Sequence, residues 1–116
     1  MSSLRRIGTE AEDRAAEFLI AKGMTLVTRR YTVLQGEIDL VALDEDEIVF
    51  VEVKFRQAPG YSPEEAVGPK KLTRLRKAAD RYLLETGGLD RAHRFDLVAI
   101  DGDGIRHYER AFSESL

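Results

Sequence analysis

Apolar residues recur along this chain with two periods, one belonging to helices and one to strands. Over residues 4–22, Leu4, Ile7, Ala11, Ala15, Phe18 and Leu19 fall on one side when successive residues are turned by about 100°. That pattern predicts a helix, and Gly23 is placed to stop it. MTLVTRRY (24–31) predicts a strand. GEIDLVAL (36–43) and EIVFVEVKF (47–55) predict two more, joined by the acidic turn DEDE. These two runs are so continuously apolar that burial on both faces is expected. The connection over 57–69 is rich in Pro and Gly and long for a plain linker. A second helix over 69–86 places Leu72, Leu75, Ala79, Tyr82 and Leu83 on one side, with Pro69 in its first turn. RFDLVAID (94–101) predicts a strand, and IRHYE (105–109) a short last one. The order α-β-β-β-α-β-β predicts an α/β fold, a mixed sheet flanked by helices.

At 116 residues the chain is expected to form a single domain over 1–116, with a core large enough to need no staples. It has no cysteine, which excludes disulfides and thiolate metal sites. No apolar run approaches the ~20 residues that span a bilayer, and the charged start MSSLRRIGTEAEDR lacks a signal peptide's apolar centre. The expectation is a cytoplasmic protein without a membrane partner. Eighteen basic and 21 acidic residues give a net charge of -3. That balance argues against a protein that coats nucleic acid and leaves room for a local basic strip.

Three residues interrupt the most apolar stretch: Asp39, Glu52 and Lys54. Glu52 and Lys54 are two apart, so a strand points both to one face. If Glu45 and Asp46 form a two-residue hairpin loop, Asp39 lies directly opposite Glu52, with Cβ atoms about 4.5–5.5 Å apart. A slip of one residue would put Val51 there instead. Two carboxylates so close in an apolar sheet repel each other and are costly to desolvate. A hard divalent cation such as Mg²⁺ offsets that with oxygen ligands, and Lys54 could orient a water or meet charge developing on a phosphate. The same residues also read as a strand-end ion pair on a wetted face, with Asp39 capping a neighbouring loop. Glu37, two residues before Asp39, is a secondary acid candidate.

Glu12 has two readings. TEAE (9–12) fits a capping box in which Glu12 returns to the Thr9 backbone. On the helical projection Glu12 also lies beside Leu19, at the edge of the buried face, where it could reach the sheet. Glu17 points to solvent. On the second helix Lys70, Arg74, Lys77 and Arg81 form one stripe, with Lys71 to its side. The stripe reads either as a row that follows a phosphate backbone or as an ordinary solvated face. Tyr61 either stacks on a base or packs the connection down. His93 reads as loop surface and His107 as a polar strand position. No Ser-His-Asp set or Gly-rich phosphate loop can be assembled.

GEIDLVA followed by VFVEVKFR resembles the signature of the YraN family of bacterial proteins. That family is similar to archaeal Holliday-junction resolvases and belongs to the PD-(D/E)xK nuclease-like superfamily. Asp39 matches the first acid of that pattern, and Glu52 and Lys54 match its E-x-K triplet. Gly8 and Glu12 match an N-terminal G-x-x-x-E, Arg94, Phe95 and Asp96 match a later R-F-D strand, and Lys71 matches a recurring lysine. Gln35 stands before Gly36 where the family carries Asn. The resemblance covers nearly the whole chain. It implies a restriction-endonuclease-like fold and hydrolysis of DNA phosphodiesters, in branched or damaged DNA, with Mg²⁺ or Mn²⁺. In that reading Asp39, Glu52 and Glu12 hold the metal, Lys54 serves the transition state, and two copies pair as a homodimer. The rival expectation is a non-catalytic module on the same fold that binds nucleic acid or a protein.

Overall fold

The computed structural model describes residues 2–56 and 63–112, with only the backbone described for 2–8 and 65–66. The expected placements of Tyr61, and of the Leu4 and Ile7 side chains, lie outside the described residues.

Helix α1 (Ser2–Ala21) opens the chain and is followed by strands β1 (Thr25–Val33), β2 (Gly36–Asp44) and β3 (Glu47–Phe55). After a 3-10 turn (Pro63–Ala66) come α2 (Pro69–Thr86), β4 (His93–Asp101) and β5 (Gly104–Tyr108). This is the restriction-endonuclease-like order expected from the sequence. The five strands form one sheet in sequence order. Only β3 and β4 pair in parallel, and the chain between them passes through α2. α1 closes as Gly23 anticipates: the glycine takes φ +102° and its N–H meets the Ile20 carbonyl at 2.9 Å.

The sheet divides the core in two. On one face Ala11, Ala15, Ala16 and Leu19 of α1 pack on Leu40, Ala42, Val49, Val51, Val98 and Ile100. On the other, Leu75, Ala78, Ala79 and Leu83 of α2 pack on Ile38, Val41, Ile48, Phe50, Phe95 and Leu97. β2, β3 and β4 are buried through most of their length, whereas β1 at the sheet edge alternates. Polar groups are clasped rather than absent. Arg94, almost wholly buried, donates to Asp96 on its own strand and to Asp44 and Glu47 at the β2–β3 turn. Asp96 also accepts from His107 at 2.7 Å and from the Arg110 backbone N–H. Burial disfavours the Asp96 carboxylate, yet these three donors hold its pKa below the usual range.

One expectation about the histidines changes and one holds. His93 is not loop surface: it begins β4, is half-buried, and sits edge-on to Phe50 and Phe95 because its neighbours fill the α2 face. His107 is a polar strand position, but its ring is buried between Asp96 and the Lys22 ammonium, which lies 2.8 Å from Nδ1.

Gly36, the first residue of β2, lies against the backbone of α2. A Cβ there would stand 2.5 Å from the Arg74 carbonyl oxygen, and a helix backbone cannot swing aside as a flexible side chain can. Gly36→Ala should therefore lower stability by about 1–3 kcal/mol, read as a lower urea midpoint with an unchanged slope. An alanine variant as stable as the parent would show that α2 does not rest on this strand.

Candidate functional site

The β2–β3 hairpin closes through Glu45 and Asp46. The sequence is a poor turn former, and Glu45 accepts a left-handed φ of 57° to make it. The pairing runs from Asp44 with Glu47 to Leu40 with Val51. Continued by one step, that register sets Asp39 opposite Glu52. Here the ladder opens. Ile38 joins the α2 face and Leu40 the α1 face, so strand alternation breaks at the residue between them. Asp39 turns its carboxylate toward β3, where Oδ2 accepts the Val53 backbone N–H at 2.8 Å.

Both acids are buried, Asp39 to 9% and Glu52 to 1% exposure. Their proximity registers electrostatically. Burial, and then the Glu52 charge, push the Asp39 pKa up to about 7, against relief from the Val53 N–H and from Lys71. Glu52 Oε2 lies 3.2 Å from Lys54 Nζ and 3.4 Å from Lys71 Nζ, while Oε1 is buried with no hydrogen-bond partner. Lys54 and Glu52 share the α2 face of the sheet, as their spacing requires. α2 brings Lys71 to the same oxygen, beside the acid pair rather than only flanking the basic stripe.

The remaining candidates divide. Glu12 is not in a capping box, because α1 begins ten residues before it, at Ser2. It is buried at the helix edge, but its Oε1 accepts from Arg30 Nε at 2.9 Å, with Arg29 at 3.8 Å. Arg30 stands on β1 where the register faces Asp39, takes φ 53°, and has its pKa raised by Glu12 first and more weakly by Glu37 and Asp39. Glu37 is exposed and accepts from Thr32 Oγ1 at 3.0 Å. Lys70, Arg74, Lys77 and Arg81 all face solvent, but Arg81 is tied to Glu85 at 3.0 Å. Sequence reasoning missed Arg30 as the partner of Glu12. The signal was present in the paired arginines of TRRY, on a strand whose register with β2 brings Arg30 to Asp39.

The donor set suits a hard divalent cation. Two carboxylates converge, one oxygen lacks any partner, and burial together with the neighbouring Glu52 charge pushes the Asp39 pKa up to about 7. Among the described residues no group of three or more His, Asp and Glu residues is gathered into a metal cluster. The expected third acid, Glu12, is occupied by Arg30 instead.

Comparison with known proteins finds relatives over nearly the whole chain. The profile of Uncharacterised protein family UPF0102 matches residues 11–100. A UPF0102 protein of Syntrophomonas wolfei is 42% identical over 113 residues, covering 93% of this chain and 98% of its own. One from Rhodococcus jostii is 44% identical over 112 residues, covering 91% and 95%. One from Anaeromyxobacter dehalogenans is 41% identical over 111 residues, covering 91% and 83%.

The buried acid pair sets a pH dependence. Folded Asp39 holds its proton to about pH 7, against an ordinary value of 3.8. Its contribution to stability is complete at acid pH and is lost as pH rises through about 7. Without divalent metal, Asp39→Asn should therefore melt higher than the parent at about pH 8, by the equivalent of about 2–4 kcal/mol, with the gap closing toward about pH 4. An asparagine variant less stable than the parent at about pH 8 would mean that Asp39 is not under electrostatic strain.

Proposed function

This chain belongs to the UPF0102 (YraN) family, a PD-(D/E)xK-like group, and we propose that it hydrolyses phosphodiester bonds in DNA, with branched or damaged DNA as the preferred target. The observation that carries this reading is the convergence of Asp39 and Glu52 around an unpartnered oxygen, with two ammonium groups on the other Glu52 oxygen. Asp39 and Glu52 would hold Mg²⁺ or Mn²⁺. Such an ion supplies a water of lowered pKa and a countercharge for the phosphate. Lys54 is the amine that orients the attacking water or meets negative charge on the phosphorus centre. Lys71 stands on the same oxygen and adds a second positive charge where the phosphate must come. Glu12 acts one step removed, through Arg30, unless substrate draws that guanidinium away. Lys70, Arg74 and Lys77 make no ion pair among the described residues and are free to follow a phosphate backbone.

The second reading is a binding module on the same fold. The capture of Glu12 by Arg30 favours it, because a metal site of two acids is one ligand short of what the sequence pattern implied.

One substrate panel decides between them: single-stranded, duplex, flap and four-way DNA, and RNA, each with Mg²⁺ or Mn²⁺. Nicking should appear on DNA and fall by on the order of 100-fold or more in Asp39→Ala, Glu52→Ala and Lys54→Ala, while Glu17→Ala retains it. Because metal must displace the Asp39 proton, Mg²⁺ or Mn²⁺ should raise the melting temperature more at about pH 8 than at about pH 6, and should not do so in Asp39→Asn. Tight binding of branched DNA with no cleavage in either metal would replace the hydrolase with the module.

A further inference from the structure

The β1–β2 connection is only two residues long, Leu34 and Gln35, closed by the pairing of Val33 with Gly36. Leu34 at its tip is 98% exposed, the most exposed of the large apolar side chains among the described residues. A lone exposed leucine on a broad surface means little by itself. This one stands between two hollows, the first of them walled by two cations. One, of about 400 Å³, is lined by Leu34 and Gln35 together with Glu37, Lys71 and Arg74. The other, of about 450 Å³, is lined by Leu34 and Gln35 with Tyr31, Arg81 and Glu85. The tip is also held in place: Gly36, directly behind it, rests on the α2 backbone at Arg74. Lys71 belongs both to the first hollow and to the acid pair, so that hollow leads to the chemistry.

We propose that Leu34 is a wedge that enters a nucleic acid between bases at a branch or an unpaired step, while Lys71 and Arg74 hold the phosphates of one arm. The inference rests on nucleic acid being the substrate, and it supplies the reason for a branched one. Unstacking a continuous duplex costs a few kcal/mol per step, a cost that a junction has already met. An apolar side chain fills the opened step, and two cations on a fixed helix register the backbone beside it. Gln35 next to the wedge carries an amide that can hydrogen-bond an exposed base edge.

The test is binding in EDTA, where cleavage plays no part. Leu34→Ser should weaken binding of a four-way DNA junction by about tenfold and leave a duplex of equal length unaffected. Arg74→Gln should weaken both. The protein has no tryptophan, so Leu34→Trp places a single reporter at the tip. Its emission should be quenched, and shielded from acrylamide, on the junction and not on the duplex. Full exposure at this position leaves folding unaffected in either variant, and unchanged melting curves confirm that. Junction affinity unchanged in Leu34→Ser, equal losses on junction and duplex, or unquenched emission on bound junction would each overturn the wedge. A concentration-dependent dimer abolished by Leu34→Ser would assign the tip to a second copy of the chain and overturn it too. Junction-specific quenching without cleavage keeps the wedge and ends the hydrolase. Cleavage with unquenched emission does the reverse.

Discussion

Everything at the candidate site depends on two carboxylates being buried together by the register of one hairpin. The β2–β3 ladder ends one step short of Asp39 and Glu52, where the Asp39 carboxylate turns onto β3, and the apolar strands on either side deny both acids water. Of all the interactions in the molecule this one opposes folding most directly. It is tolerated because the surrounding sheet overdetermines it. Val49, Phe50 and Val51 just before Glu52 are wholly buried, with α1 on one face and α2 on the other. An acid pair held against its own repulsion is a standing demand for positive charge. Lys54, Lys71 and Arg30 meet that demand in part, each from a different direction.

The two halves of the sheet carry different burdens. Around β4 and β5 each buried charge has an opposite charge beside it: Arg94 spans to the β2–β3 turn, and Asp96 collects donors from Arg94, His107 and the Arg110 backbone. Glu64, in the 3-10 turn before α2, is fastened to Arg106 and Tyr108 of β5, and these partners draw its pKa down to about 2. Around β1 and β2 the balance is incomplete. Charge is thus paired with opposite charge in one half of the sheet and left crowded with like charge in the other.

Much of this was legible in the sequence because it follows from local rules. The period of apolar residues gave both helices and all five strands in order, since each element buries a face whose spacing is set by backbone geometry. The hairpin register followed from a loop length, and with it the meeting of Asp39 and Glu52. What was not legible depends on elements distant in sequence coming into contact. Glu12 lies 18 residues from Arg30, and no periodicity says that an edge strand will reach back to claim it. His93 was misplaced because a strand boundary moved by one residue, which turned a loop side chain into part of an aromatic cluster. Lys71, which the sequence offered as a lysine beside the stripe, reaches Glu52 because α2 settles on β2, and the close fit of that docking shows in the sequence as the absence of a side chain at position 36.

That absence has a wider consequence. Because Gly36 rather than the hairpin tip bears the helix, the two residues beyond it are mechanically separate from the acids three or more positions further along the strand. Exchanging the exposed Leu34 side chain therefore leaves the seat of α2 on β2 intact, so the character of the hairpin tip can vary without cost to the fold beneath it.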